Sequence, residues 1–160
     1  MLTKGDDFPI HQKPSPLAEV GSSRNFYDRY FFNGYSHEDE IFFGAVLCVY
    51  PNLNIMDAAF TIAHKGVQHN VRASRILNLE RLDTVVGPIQ VKVIEPLQKL
   101  QVLVNDKDSG INVDITFDGF TEVLQEPQMY LYDGPRKTMD TCRMVQHGSW
   151  TGQIKLKNLI

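Results

Sequence analysis

The sequence predicts an all-β domain of at least seven antiparallel strands, arranged as a barrel or a strongly bent sandwich. Turn-forming residues recur roughly every ten residues from position 25 onward, as in a meander of short strands. The segments between these turns alternate, most strictly at 111–118, where every second side chain is apolar. Charges of both signs also lie inside apolar segments, which indicates an ion-paired interior or interface; they are Arg72, Arg75, Arg81, Asp83, Glu95, Asp114, Asp118 and Arg143.

The strand-forming region is preceded by an expected N-terminal arm at 1–23. Residues that break helices interrupt this stretch throughout, at Pro9, Pro14, Pro16 and Gly21. The β domain then covers 24–160, with strands expected at 25–33, 40–49, 55–63, 68–79, 89–95, 98–105, 111–118, 128–133 and 140–157. The segment 67–86 also fits a helical stripe, but Lys65-Gly66 before it fits a hairpin turn and favours a strand.

Length and composition place the chain among ordinary globular domains. Its 160 residues are enough for one domain with a real core. A net charge of −3 gives no reason to expect nucleic acid as a partner. No apolar run is long enough to span a bilayer, and the first residues lack a secretory signal core, so a cytoplasmic location is expected. Cys48 and Cys142 are then expected to be buried free thiols, and no metal or cofactor motif is present.

Several short stretches resemble a family of largely uncharacterised bacterial proteins. They are Tyr50-Pro51-Asn52, Met56-Asp57-Ala58-Ala59-Phe60, Arg72-Ala73-Ser74-Arg75, Val86-Gly87-Pro88-Ile89, Glu95-Pro96-Leu97, Met139-Asp140 and Gln146-His147-Gly148-Ser149-Trp150. That family is similar to carotenoid hydratases of the hydroxyneurosporene synthase type, which have tandem lipocalin-like barrels. The resemblance implies a lipocalin-like barrel here, as the N-terminal half of a longer two-domain protein. None of the hydratases' catalytic residues matches a position in this chain, so the catalytic residues are unknown.

Five residues are predicted to bind a ligand, and each has an alternative structural role. Asp57 and Arg75 belong to the charged set, where a guanidinium fork can orient the polar end of an apolar ligand. The same charges also suit a structural ion-pair network or an interface with a second domain. Arg143, His147 and Trp150 lie in the last predicted strand. His147 can do acid–base work or simply form a hydrogen bond, and Trp150 can fill the core or stack on a ligand.

The predicted function is to bind an apolar or amphipathic small molecule, such as a lipid, terpenoid or polyketide-like compound, in the barrel. The aromatic residues between Phe26 and Tyr50 supply either a core or an apolar pocket. Cofactor-free hydration, isomerisation or cyclisation is compatible with this, and whether the protein is an enzyme stays open. The alternative is a structural half-domain that docks on a second barrel and has no ligand of its own.

Two further expectations concern contacts. Arg75 or Arg143 should be largely shielded and paired with a carboxylate, with Asp57, Asp83 or Glu95 as partner, since an unpaired buried guanidinium is costly. The alternating strand near 153–157 is expected to leave an edge that pairs with a second domain or a second copy. The chain alone should therefore expose an apolar patch near that strand and self-associate.

Overall fold

The computed structural model of this protein describes residues 2–9, 24–38 and 40–157. Over these residues the fold is all-β and antiparallel, as predicted, with short 3-10 turns at Lys4–Asp7 and Pro51–Leu53 and no α-helix. No helical segment in this part of the chain is long and apolar enough to cross a membrane. The strands are β1 Asp28–Tyr35, β2 Ile41–Tyr50, β3 Ile55–His64, β4 Val67–Ile76, β5 Val85–Val86, β6 Ile89–Glu95, β7 Lys99–Asp106, β8 Ile111–Gly119, β9 Leu124–Gln125, β10 Met129–Asp133, β11 Arg136–Thr141, β12 Met144–Val145 and β13 Gly148–Leu156.

Most strands belong to one of two antiparallel sheets. The first has the order β1-β2-β3-β4, and the second has the order β13-β8-β7-β6-β5. In the first sheet each strand pairs with the next in sequence, and Lys65-Gly66, both with positive φ, forms the predicted tight turn between β3 and β4. Both orders are linear, so the described strands form two open sheets with edges at β1, β4, β13 and β5.

The two sheets share one apolar core between their facing surfaces. Alternate residues of β2 and β3, such as Leu47, Phe60 and Ile62, are fully buried there. Val102 of β7 and Ile115 of β8 meet them from the second sheet. Among the described residues the buried polar or charged side chains are Asp7, His64 and Arg81, and the ion pair of Arg75 with Asp83 is partly exposed. Most members of the predicted charged set are exposed to water, on outward faces, in loops or at the ends of the sheets.

Trp150 closes one side of the core by joining the two sheets. Its ring lies 5.2 Å from the rings of both Phe43 and Phe117, and 5.8 Å from that of Phe32. Its Nε1 donates a hydrogen bond of 3.1 Å to the Asn33 carbonyl, which links β13 to β1. These contacts favour the core-filling role of Trp150 over the ligand-stacking role.

A two-stranded ribbon at 124–145 connects β8 to β13. It consists of β9 paired with β12, followed by β10 paired with β11, and it belongs to neither main sheet. At its tip Asp133 pairs with Arg136, and Gly134 supplies the positive φ that the turn requires. The ribbon has no core of its own, and its side chains are largely exposed.

The single strand predicted at 140–157 is therefore wrong, because the chain leaves the ladder twice between β11 and β13. At the second break the Gln146 amide donates hydrogen bonds of 3.0 Å to the Leu97 and Thr121 carbonyls.

The ribbon also explains why only one of the two cysteines is buried as predicted. Cys48 is buried and free, whereas Cys142 is free but exposed on the ribbon.

The predicted arm is described only at its start, where it is attached to the sheets. Asp7 is buried, and its carboxylate accepts the backbone N–H of Leu97 in the β6–β7 turn. Leu97 has a φ of 65°, and Tyr30 donates to the Asp7 carbonyl. Burial raises the pKa of Asp7. The rest of the predicted arm, 10–23, and the chain end at 158–160 lie outside the described residues.

Candidate functional site

The side of the β1–β4 sheet that faces away from the core is the outer sheet face. It carries Arg29, Phe31, Asn33 and Tyr35 from β1, Phe42, Gly44, Val46, Cys48 and Tyr50 from β2, Ile55, Asp57, Ala59, Thr61 and Ala63 from β3, and Gln68, Asn70, Arg72, Ser74 and Ile76 from β4. Phe31, Tyr35 and Phe42 are 62%, 75% and 48% exposed. The β1–β3 part of this face is thus mainly apolar, and its β4 border is mainly polar.

The opposite outer surface, on the second sheet, is polar. Its outward side chains include Gln90, Lys92, Lys99, Gln101, Leu103, Asn105, Asn112, Asp114, Thr116, Asp118, Ser149, Thr151, Gln153 and Lys155. They bond to one another, since Lys99 lies 2.8 Å from Asp118 and Gln101 donates to Asp114 at 2.8 Å. The hydrogen bond from Lys99 lowers the pKa of Asp118. This is the ordinary surface of a half-buried antiparallel sheet, and the outer sheet face differs from it sharply.

A groove of about 210 Å³ runs across the centre of the outer sheet face. The floor of the groove is formed by Gly44, which has no side chain, and by Val46 and Ala59, whose side chains are short. Phe31 lines one side from β1, and Arg72 lines the other from β4. Phe31, Val46, Ala59 and Arg72 are also direct neighbours across the four strands. The groove can therefore accept an apolar group, with a guanidinium at its border.

A polar row crosses the sheet next to the groove. Arg29, Cys48, Asp57 and Ser74 are paired in register across β1 to β4. The Cys48 thiol is hydrogen-bonded to both Asp57 and Tyr50, and burial raises the pKa of all three groups. Because the raised pKa keeps the thiol protonated near neutral pH, the row lacks a thiolate nucleophile. It can still hydrogen-bond a polar group, and it contains Asp57, one of the five residues predicted to bind a ligand.

Arg75 lies on the inward side of β4 and fixes the connection to the second sheet. Its Nε donates to the Val85 carbonyl at 2.7 Å. Its Nη1 donates to the carbonyls of Ile76 and Leu77 at 2.9 and 3.3 Å. Its Nη2 donates to the Asp83 carbonyl and lies 3.5 Å from the Asp83 carboxylate. The expected Arg75–Asp83 pair is present, and the donors of this guanidinium are already occupied by the protein.

Arg143 lies on the ribbon and His147 lies at its base, so neither residue belongs to the β1–β4 sheet that carries the groove. The Arg143 side chain is 56% exposed, so the more shielded of the two arginines is Arg75, whose side chain is 24% exposed. Arg143 pairs at 2.7 Å with Glu126, which is none of the three expected partners Asp57, Asp83 and Glu95. The backbone of His147 is bonded to Thr121, and its ring is exposed. Of the five predicted residues, only Asp57 lies on the outer sheet face.

Arg81 is the one buried member of the predicted charged set, and Asp7 is the other buried charged residue among those described. Arg81 is 7% exposed in the β4–β5 connection, and its Nη2 has no hydrogen-bond partner among the described residues. Burial lowers its pKa, and the charge of Asp28 opposes that shift. The remaining members of the predicted charged set, Arg72, Asp83, Glu95 and Asp114, are exposed.

A second surface cavity, of about 230 Å³, lies at the end of the sheets beside the N-terminal segment. It is lined by Leu2, Leu97, Gln98, Thr121, Glu122 and Val123. The described residues contain no group of three or more His, Cys, Asp or Glu side chains that could hold a metal ion.

The sequence does contain a signal for the outer sheet face. The segment Ile41–Tyr50 is a nearly continuous apolar run rather than an alternating one, and Ile55–His64 is almost as apolar. Continuous apolar strands are typical of sheets covered on both faces. The predicted core or apolar pocket contained the aromatic residues between Phe26 and Tyr50, whereas Phe31, Tyr35 and Phe42 point away from the core.

Comparison with known proteins adds one relationship. No curated protein matches the sequence, and no solved structure matches it either. One family profile matches residues 2–159. The chain therefore belongs to a family of unknown function, DUF8625.

Proposed function

We propose that this protein is a binding module that docks through its outer sheet face on an apolar surface of another folded domain. The observation that carries the proposal is the contrast between the two outward surfaces of the same molecule. The second sheet presents bonded polar side chains, and the first presents Phe31, Tyr35 and Phe42 around a groove. A contiguous exposed apolar surface on one side only is typical of an interaction site.

The size of the groove favours a docked surface over an enclosed small molecule. Its volume is about 210 Å³, and pockets that bury most of a small ligand usually measure roughly 300–1,000 Å³. The exposed apolar side chains also extend beyond the groove, to Tyr35 and Phe42 on one side and Ile76 on the other. A partner domain would cover all of them, and the second barrel implied by the family resemblance is the partner that we favour.

Binding of an amphipathic small molecule is the second candidate. The groove could take one apolar chain segment of a lipid, terpenoid or polyketide-like molecule, with its polar end near Arg72 or Asp57. Half-buried Asp57, which has a raised pKa, is the feature that favours this reading, because it offers a hydrogen-bonding group at an apolar surface.

A lipocalin-like arrangement remains part of the proposal. Two features support it: a single core shared by both sheets, and the Trp150–Asn33 hydrogen bond that joins edge strands β13 and β1. On the opposite side, Arg75 holds the chain where it crosses from β4 to β5. A strongly bent sandwich satisfies the same contacts.

Dye binding tests whether the apolar face is available. The isolated folded protein should enhance the fluorescence of an anilinonaphthalene sulfonate dye. Ala59→Lys, on the groove floor, should remove the enhancement, whereas Asn112→Lys on the polar outward surface should leave it unchanged. Trp150 emission confirms that each variant is folded. Equal dye binding by both variants would contradict the proposal.

Native mass spectrometry with decanoic acid and decylamine tests the second candidate separately. A one-to-one adduct that Ala59→Lys abolishes would favour the small-molecule reading. Absence of any adduct, together with dye binding, would favour the docking reading.

A further inference from the structure

Strand β10 has a free edge that lacks the usual protection against pairing with another strand. Among the described residues it is hydrogen-bonded only to β11, and its first four residues, Met129–Tyr132, include no charge, glycine or proline. The other edge of the ribbon is different. Strand β11 carries Arg136, Lys137 and Asp140, and it has a bulge at Thr138. Charges and bulges on edge strands disfavour intermolecular pairing, so of the two described edges of the ribbon, β10 is the one open to it.

One face of the ribbon is polar and internally bonded. Lys137 lies 3.0 Å from the Asp140 carboxylate, and its Nζ lies 4.6 Å from the centre of the Tyr130 ring. Gln128 donates to Asp140 at 2.6 Å. The other face carries Met129, Leu131 and Met139, which are 39%, 48% and 41% exposed. An isolated two-stranded ribbon is only marginally stable in water, so this one gains from added strands.

The backbone of β10 offers hydrogen bonds at its free edge. Thr138 of β11 donates to the Leu131 carbonyl at 3.2 Å, so the backbone groups of Leu131 point toward β11. Because neighbouring residues of a strand point their N–H and C=O groups in opposite directions, those of Tyr130 and Tyr132 point toward the free edge.

We propose that β10 is a dimerisation edge that pairs antiparallel with β10 of a second copy of this chain, about a two-fold axis at Leu131. In this register Tyr130 of each copy forms a hydrogen-bonded pair with Tyr132 of the other, and the two Leu131 residues face each other as a non-hydrogen-bonded pair. The aromatic pairs are favourable across strands. The result is a four-stranded sheet with the order β11-β10-β10-β11 and one continuous apolar face.

The charge of the segment agrees with a second copy as the partner. The segment that meets itself is uncharged, so self-pairing brings no like charges together. The two Asp133 carboxylates lie about 14 Å apart along the sheet, at roughly 3.4 Å per residue, which exceeds a Debye length of about 8 Å. The paired segment is short, and its contact area is well below the roughly 1,200 Å² of a stable interface. The dimer should therefore be weak and depend on concentration.

Disulfide trapping tests the register. In a Cys142→Ser background, Leu131→Cys should form a disulfide-linked dimer when oxidised with copper phenanthroline, because non-hydrogen-bonded neighbours lie within disulfide reach. Met139→Cys in the same background is the matched control. Met139 lies on the same face as Leu131 and has similar exposure. In the dimer the two Met139 positions would be separated by three strand spacings of roughly 4.8 Å, or about 14 Å. Trapping at Leu131→Cys should be at least tenfold faster. Equal trapping at both sites, or none at either, would overturn the proposal.

Sedimentation velocity gives an independent readout. Wild-type protein should shift from monomer toward dimer as its concentration rises. Leu131→Lys should weaken this association at least tenfold, because two ammonium groups then meet at the two-fold axis, whereas Met139→Lys should weaken it less. Circular dichroism confirms the fold of each variant. A wild-type protein that stays monomeric at every concentration, or equal effects of the two substitutions, would contradict pairing through β10.

Discussion

Replacing Arg75 by methionine should destabilise the protein mainly by releasing the β4–β5 connection. Methionine keeps much of the aliphatic stem of arginine but loses the guanidinium. That group donates to the Val85, Ile76 and Leu77 carbonyls at 2.7, 2.9 and 3.3 Å, and also to the Asp83 carbonyl. These carbonyls belong to the segment that carries the chain from the first sheet to the second. The loss should therefore loosen the joint between the two sheets.

The hydrogen bonds of Arg75 to backbone carbonyls and its ion pair with Asp83 should contribute different amounts to the free energy of unfolding. A hydrogen bond from a charged donor contributes about 1.5–3 kcal/mol, and partial exposure of the carbonyls reduces this toward about 1 kcal/mol each. The four bonds together then contribute about 4 kcal/mol. The carboxylate of Asp83 is 3.5 Å away and 54% exposed, so that the ion pair contributes at most about 1 kcal/mol.

Urea unfolding of wild type, Arg75→Met and Asp83→Asn, followed by Trp150 fluorescence, measures the two contributions. Arg75→Met should lower the free energy of unfolding by about 4–5 kcal/mol, and Asp83→Asn by about 1 kcal/mol or less. Arg75→Lys should fall between them, because one ammonium group cannot reach the acceptors of a forked guanidinium. If Arg75→Met and Asp83→Asn had equal effects, Arg75 would act as an ion-pair partner and the reasoning would be refuted.

Three other substitutions test separate parts of the structure. Gly34→Ala should cost about 1–3 kcal/mol and shift Trp150 emission, because the new β-carbon would come within 2.9 Å of that ring; an unchanged spectrum would contradict the packing. Asp7→Ala should cost about 1–3 kcal/mol in urea unfolding, since it leaves the Leu97 N–H without its acceptor. Burial raises the pKa of Asp57 in the folded protein. Above this folded-state pKa the ionised carboxylate lowers the free energy of unfolding, and the effect disappears below the pKa of the unfolded state, about 3.9. Asp57→Asn should therefore melt higher than wild type at neutral pH, with a difference that shrinks as the pH falls toward 4; a constant difference would contradict this.

The sequence predicted those parts of the fold that local pattern determines. The strict alternation at 111–118 became β8, Ile111–Gly119, with alternate residues buried. The strand favoured after Lys65-Gly66 became β4, and the predicted partner Asp83 does lie beside Arg75. Backbone carbonyls carry no sequence signature, however, so the main role of Arg75 as a donor to a loop could not be read from residue types.

The candidate site was harder to predict, because it depends on which face of a strand is covered. The apolar run of β2 was visible in the sequence, but a pattern that is apolar on both faces does not say what packs against each one. Arg143 was misplaced for a related reason. Its apolar neighbours suggested burial, whereas they lie on a ribbon that projects from the sheets.

Hydroxyl-radical labelling of aromatic side chains tests the docking role of the outer sheet face most directly. The comparison is between the purified protein and the same protein inside the cells that normally produce it. Phe31, Tyr35 and Phe42 are 62%, 75% and 48% exposed in the isolated chain, and Phe120, outside this face, is 72% exposed and serves as the internal control. A docked domain should reduce the labelling of all three outer-face residues in cells and leave Phe120 unchanged. Protection of Phe31 alone, the aromatic residue that lines the groove, would favour a small molecule, and unchanged labelling of all three would contradict docking through this face.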